Sequence, residues 1–473
     1  MPHRIERAQP PLEFIPPALN PLFLRFTQFA LPIWLDTLIA ISPLGMAEGI
    51  AKVEADNVEI LIDLIRQFQE KKIRLMVAFR HPQVEDPLCL GYLLSKLVPQ
   101  TARERGIVLQ HPIHAHFIYD RGIPLWAGSH IGWVLSRLGG TPIQRGKADW
   151  TGLRSARNLF ANGNFPIAAA PEGATNGLSE ILNPLEPGIA QLSFWCAEDL
   201  HKAQRNEQVL ILPIGIQYSY VDSPWEKIEQ ILTELEISTG LTPSQSGYDI
   251  RLPQESLYPR LISLAKHLLS LMEEFYQRFY GQNIPTAKIP ETDTSDDNEA
   301  IAARLQALLD TALQVAEKYF DLRPKGNFTD RCRRVEQAGW NYIFREEFKD
   351  IKALSAVERG LADKIAEEAN LRMWHMRLVE SFVAVTGKYV REKPSAERFA
   401  ETTLLLWDMV TRIEGGNSFK RPQLGKQKAK ITIGKPISVS ERFAAYKSSR
   451  RGAREAVAQL TLDLQQAMED LIF

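Results

Sequence analysis

The sequence predicts an α/β fold, a layered sheet with flanking helices, joined to a large and mainly helical insertion. Three observations carry this reading. Apolar runs of strand length alternate with helix-period stretches over residues 73–220, the rhythm of strand–helix–strand units. Residues 222–428 read instead as long helices rich in Leu, Glu, Lys and Arg. A strand and an amphipathic helix then return at 429–473 and complete the first pattern.

The elements follow in order. Residues 73–79 form a buried strand, and 87–98 a helix with Pro87 at its first position. Next come a strand at 114–119, a helix at 126–138, a short strand at 141–144, and a helix at 150–161 stopped by Gly163. A strand at 165–170, a helix at 188–201 and a strand at 209–220 close the core; Pro213 inside the last points to an irregular or edge position. The insertion is interrupted by GQNIPTAKIPETDTSDDNEA at 281–300, a linker by composition, and resumes as helix over 301–412. A Lys-rich loop at 420–430, a strand at 431–439 and a helix at 452–472 end the chain. The expected organisation is an N-terminal apolar segment (1–70), an α/β core (71–221), the insertion (222–428) and a completing strand and helix (429–473). In such folds the functional loops lie at the strand ends.

Charge and cysteine content narrow the function. The 56 Lys and Arg nearly balance 57 Asp and Glu, so no overall field gathers a polyanion, and nucleic acid is a poor partner. Cys89, Cys196 and Cys332 are scattered and form no C-x-x-C, which argues against a disulfide framework or a Cys-based zinc site and fits a reducing compartment.

Residues 11–47 are apolar, yet Glu13, Arg25 and Asp36 keep every uncharged stretch below the ~18 apolar residues of a spanning helix. The first ten residues, with His3, Arg4, Glu6 and Arg7, do not read as a secretory leader. Residues 21–40 offer Leu22, Phe23, Phe26, Phe29, Ile33, Trp34 and Leu38 either to a membrane surface or to the core.

Four stretches carry candidate chemistry. In FRHPQVEDP at 79–87, His81 precedes Asp86 by five positions, so a carboxylate can orient one imidazole nitrogen while the other takes a proton. Asp86 could equally cap the following helix, and Glu85 is a rival partner. In GGTPIQRGK at 139–147, Arg145 and Lys147 stand among glycines and suit a phosphate, although the stretch is not a Walker A loop. The third stretch is Pro171-Glu172-Gly173 at a strand end, and the fourth is Leu212-Pro213-Ile214. A histidine cluster, His111, His114 and His116, reads as part of a sheet strand and not as a metal site.

In that order and spacing the four stretches resemble the glycerolipid acyltransferases typified by 1-acylglycerol-3-phosphate acyltransferase. His81 and Asp86 match the family's His-four-residues-Asp motif, Arg145 the arginine of its second block, and Pro171-Glu172-Gly173 its third. Leu212-Pro213-Ile214 resembles the fourth, and Ile433-Gly434-Lys435-Pro436-Ile437 the family's closing strand. Arg80 stands where many members have Asn, Pro142 where Phe is frequent, and Ala174-Thr175-Asn176 where Thr, Arg and Ser are usual.

The resemblance implies an enzyme in which His81, oriented by Asp86, activates the hydroxyl of a glycerolipid acceptor. That hydroxyl attacks an acyl thioester, with Arg145, Lys147, Glu172 and Gly173 shaping the acceptor site. It implies no metal and no cofactor beyond the donor, which is acyl-coenzyme A or acyl carrier protein. It implies 1-acylglycerol-3-phosphate as the first acceptor to test, with glycerol 3-phosphate, another lysolipid or a non-phospholipid alcohol as alternatives. A non-catalytic lipid-binding scaffold is the rival from another class. The implied location is cytoplasmic, peripheral to a membrane's cytoplasmic face, with the Lys-rich loop and Lys447, Arg450, Arg451 and Arg454 as candidate contacts for anionic headgroups or an acidic carrier.

Overall fold

The computed structural model describes residues 7–41, 49–145, 149–243, 251–284, 297–348, 353–383, 385, 388–418 and 420–472. Its backbone divides into two compact units, Glu13–Val221 with Lys426–Phe473, and Met1–Leu12 with Asp222–Gly425.

The first unit is a mixed, mostly parallel α/β sheet. Its strands are β1 (Ile50–Asp56), β2 (Ile73–Phe79), β3 (His116–Asp120), β4 (Thr141–Ile143), β5 (Ile167–Ala169), β6 (Gln208–Tyr220), β7 (Gln427–Ile433) and β8 (Ile437–Ser438). They lie in the order β1-β7-β6-β2-β5-β3-β4, with β8 also on β6. Only the pairings of β6 with β7 and with β8 are antiparallel.

Helices α1 (Pro21–Ile41), α2 (Val58–Gln69), α3 (Asp86–Tyr92), α4 (Val98–Glu104), α5 (Ile123–Ala127), α6 (Ser129–Arg137), α7 (Trp150–Asn162) and α8 (Gly188–Lys202) accompany it. β2 is buried along its whole length and alternates between two cores. Leu75, Val77 and Phe79 pack with α2, α3 and α4, whereas Met76 and Ala78 pack with α7 and α8. Arg74 is buried near the end of α7, where its guanidinium donates to the carbonyls of Phe160 (2.6 Å), Gly163 (2.8 Å) and Leu159 (3.3 Å), capping that helix.

Several elements differ from the sequence reading. β1 and α2 fall inside the segment 1–70 that the sequence set apart, yet β1 pairs with β7 and α2 fills one core. β1 escaped notice because as an edge strand it carries Lys52, Glu54 and Asp56, the charges that keep an edge from pairing further. The Lys-rich loop becomes β7 from Gln427 onward, and Lys430 meets Asp56 at 3.1 Å. The strand expected at 431–439 is broken into β7 and β8 at Gly434–Pro436, and Pro213 lies in β6 opposite that break. There its carbonyl accepts from Gly434 N at 2.9 Å, on the side where its missing N–H leaves no ladder bond unmade.

The second unit is helical, with α9 (Trp225–Thr239), α10 (Pro253–Tyr280), α11 (Asp297–Tyr319), α12 (Phe328–Ile343), α13 (Ala356–Phe382), α14 (Tyr389–Glu392) and α15 (Ala396–Ile413). The run expected at 301–412 is thus divided, and capping boxes at Asn327/Asp330 and Ser355/Glu358 set two of the starts. Within the linker segment, residues 285–296 lie outside the described residues. The chain ends in the sheet unit with α16 (Phe443–Ser448) and α17 (Arg450–Glu469).

His114, just before β3, and His116, its first residue, are buried. His114 Nε2 bonds the Leu138 carbonyl at 2.8 Å, and His116 Nδ1 bonds that of Gly139 at 2.9 Å. They fasten the end of α6 to the sheet. Burial lowers both imidazole pKa values, that of His114 to about 4 from an ordinary 6.5. Between these values the unfolded chain binds a proton that the native state does not, so stability is lost as pH falls through 6.5 and levels off below about 4. Urea unfolding at pH 7.5, 6 and 5 is expected to show this acid-side loss. His114→Gln is expected to remove up to about 1.4 kcal/mol per pH unit from its slope, and an unchanged slope would exclude His114 as its source.

Candidate active site

Parallel register brings the sequence motifs to one end of the sheet. Ala78 on β2 is level with Ala169 on β5. His81 and Glu172 therefore both lie three residues past matched positions. Phe117 on β3 is level with Ala168, and Asp120 with Ile143 on β4, which leads to Arg145. All are carboxyl ends of parallel strands, where α/β folds collect functional side chains.

The imidazole chooses Asp86 over Glu85: His81 Nδ1 lies 2.9 Å from Asp86 Oδ2. Asp86 is fully buried, while the His81 side chain keeps 22% of its exposure. Asp86 does not act as the helix cap; Glu85 occupies that position without a side-chain cap bond. Instead Asp86 Oδ2 also accepts from the Gln83 backbone N–H at 2.9 Å, and Oδ1 accepts from the Tyr218 hydroxyl. Burial, then the Asp86 charge, holds the Tyr218 pKa well above its usual 10, so the phenol stays a donor. With Nδ1 engaged by this carboxylate, Nε2 is the imidazole nitrogen left available. Nε2 makes no hydrogen bond among the described residues.

Glu172 supports the same loop from the other side. Its Oε1 accepts from the His81 backbone N–H at 2.8 Å, and its Oε2 from Asn183 N–H at 3.0 Å and Asn176 Nδ2 at 3.4 Å. Burial raises its pKa, opposed first by the Arg80 guanidinium. Arg80 and Glu172 are both inaccessible, with Nε and Oε1 3.9 Å apart. The remaining Arg80 nitrogens donate to the carbonyls of Ser179, Leu178 (3.2 Å) and Ile181 (2.6 Å). The loop after β5 is thereby fixed against the loop after β2, and Gly177 N to Pro82 O at 3.1 Å adds to this.

Arg145 and Gly173 meet directly. The Arg145 guanidinium donates to the Gly173 carbonyl, and its Nε to Asp120 Oδ2 at 2.6 Å. Gly173 has φ +72°, the left-handed conformation that favours glycine, and the Glu186 carboxylate lies where a Cβ would stand. Lys147, paired with Arg145 in the sequence reading, lies outside the described residues. Asn176, in the stretch that departs from the resemblance, is buried and bonds the Ile181 carbonyl at 2.7 Å, whereas Thr175 is exposed.

Sequence reasoning missed Arg80, Tyr218 and Asp120. Tyr218 was discoverable: it continues the inward alternation Ile214, Ile216, Tyr218 of β6, where a lone hydroxyl needs a partner. It also reaches Cys89 Sγ at 3.6 Å, and burial raises that thiol's pKa, which removes it as a nucleophile at neutral pH.

Compared with family models, curated proteins and solved structures, the chain matches none.

Tyr218→Phe leaves Asp86 Oδ1 buried without that donor and is expected to cost about 1–3 kcal/mol. Urea denaturation checks this, and a loss below about 0.5 kcal/mol would show that Asp86 does not depend on the phenol.

Proposed function

We propose that the sheet unit is an O-acyltransferase that moves a fatty acyl group from a thioester to the hydroxyl of a glycerolipid. The observation that carries this is the His81–Asp86 pair: a buried carboxylate fixes Nδ1, and a half-buried imidazole offers Nε2 at the carboxyl end of a central strand. Nε2 takes the proton of the acceptor hydroxyl, whose oxygen attacks the thioester carbonyl. The tetrahedral intermediate then expels the thiolate, which takes the proton back from the imidazolium. No covalent enzyme intermediate is needed, consistent with the buried Cys89. The resemblance to glycerolipid acyltransferases supports the same chemistry and the same sheet-and-helix layering.

The donor in this reading is acyl-coenzyme A or acyl carrier protein, and the first acceptor is 1-acylglycerol-3-phosphate. Other acceptors have a specific observation in their favour. Arg145 is bonded to Asp120 and to the Gly173 carbonyl, and exposed Thr175 stands where the family usually carries an arginine. The decisive assay offers both donors with lysophosphatidate, glycerol 3-phosphate and monoacylglycerol. His81→Ala is expected to lower turnover by about 10³-fold or more with an unchanged circular dichroism spectrum. Equal activity in wild type and His81→Ala would remove His81 as the base. Absence of transfer to any acceptor would favour the scaffold reading.

A membrane-borne acceptor calls for peripheral attachment, and α1 is its proposed site. No described helix is long and apolar enough to cross a membrane. On α1, Leu22 (77% exposed), Phe26 (60%), Phe29 (72%) and Ile33 (59%) follow the i, i+4, i+7, i+11 spacing of one face, opposite buried Leu24, Leu31 and Leu35. Of the other insertion candidates, Phe23 packs edge-on against Trp133, and the side chain of Leu38 is outside the described ones. Flotation with anionic vesicles is expected to recover the wild type, and Phe26→Gln with Phe29→Gln to lower partitioning roughly tenfold or more. Equal flotation of the double variant would exclude this face.

A further inference from the structure

The helical unit contains two guanidinium groups whose expected partners are already taken. Arg412 on α15 stands one turn after Asp408, the spacing of an i, i+4 ion pair. Both Asp408 oxygens, however, accept from Arg421, whose Nε lies 3.0 and 2.9 Å away and whose Nη2 also donates to Oδ2. The Arg412 side chain makes no hydrogen bond or ion pair among the described residues, and its Nε is buried without an acceptor.

Arg377 on α13 is in the same position. Glu380, three residues on, accepts from Arg333 at 2.8 Å, and the same Arg333 nitrogen holds Glu336 at 2.9 Å. Among the described residues the Arg377 side chain keeps one hydrogen bond, from Nη1 to the neutral Oδ1 of Asn370 at 3.2 Å.

The two arginines belong to one cluster. Trp374, one turn before Arg377, donates from Nε1 to the Arg412 carbonyl at 3.3 Å and ties α13 to α15. Burial lowers the pKa of both guanidinium groups, and Arg412 lowers that of Arg377 further. Among the described residues, the cations Arg333, Arg377, Arg412 and Arg421 face the anions Glu336, Glu380 and Asp408, four charges to three. A half-buried cation without a partner is unfavourable, and guanidinium does not shed its proton at neutral pH. A bound anion relieves the excess.

We infer that Arg377 and Arg412 form a binding site for a phosphate group between α13 and α15. Two neighbouring guanidinium forks match a tetrahedral dianion in charge and in the number of oxygens they can reach; a carboxylate would satisfy one fork only. Every residue of the site belongs to the helical unit, so the inference stands apart from acyl transfer. The phosphate comes either free or as part of an organic ligand such as coenzyme A.

Calorimetry and thermal unfolding of the full chain with inorganic phosphate, coenzyme A, pantetheine and acetate test this. Phosphate is expected to bind and to raise Tm. Arg412→Gln and Arg377→Gln are each expected to weaken binding roughly tenfold, while Arg154→Gln, on the exposed side of α7, leaves it unchanged. Coenzyme A binding more tightly than phosphate, and weakened by the same substitutions, would identify an organic phosphate; equal binding would identify the free ion. Pantetheine, without phosphate, is expected not to bind. In phosphate-free buffer Arg412→Met is expected to raise Tm by removing the unpaired charge, and to abolish the response to phosphate, so a folding failure is not mistaken for a lost site. No phosphate binding by wild type, full binding by both arginine variants, or acetate binding as tightly as phosphate would overturn the inference.

Discussion

The buried Glu172 carboxylate is the group on which the end of the sheet that carries His81 depends. It receives the backbone N–H of His81 from one loop and those of Asn183 and the Asn176 side chain from another, with Arg80 beside it. The β2–β5 ladder ends at Ala78 and Ala169, and beyond it the carboxylate joins the two loops, alongside the bond from Gly177 N to the Pro82 carbonyl. A charge buried this deeply is tolerated only when its lone pairs are filled. That requirement fixes where the His81 backbone sits, and the backbone fixes where the imidazole starts.

A second layer of constraint sets the orientation of the ring. Asp86 is held from three directions, by the Gln83 N–H, by Tyr218 on β6 and by His81 itself. β6 is long enough to pair with β2 along one half and with β7 along the other. It therefore carries Tyr218 past the end of β2 to a position over α3. The reach of one strand beyond its neighbour is what supplies the phenol, and the break between β7 and β8 is what lets β6 contain Pro213.

These relations explain what was legible in the sequence and what was not. The α/β class and the positions of β2, β6, α7 and α8 followed from apolar period, since these elements are buried in the two cores. His81 and Asp86 were legible because their partnership is local. Arg80 was read only as an oddity before His81, since its partners, three backbone carbonyls and the Glu172 carboxylate, all lie about a hundred residues away. β1 was lost for the opposite reason: its charges served negative pairing at an edge, and only the β7 register reveals it. Likewise the bonding of Arg145 to Asp120 is a consequence of the β3–β4 register, which no local pattern encodes.

The arginines supply a contrast that bears on the insertion. Arg74 and Arg80 are buried and spend their donors on several backbone carbonyls each. In the helical unit, Arg260 binds Glu236 through two nitrogens and Glu229 through a third, and Arg331 binds Glu317 bidentately. The fold thus meets the cost of burying guanidinium in two ways, with carbonyls or with carboxylates. Arg377 and Arg412 receive neither in comparable measure, although carboxylates at helical spacing stand next to both. Those carboxylates are held by Arg333 and Arg421, so the shortage is arranged by the pairing pattern and not by a lack of acidic residues. Packing alone gives no reason for that arrangement, whereas a site that must remain open to an incoming anion does.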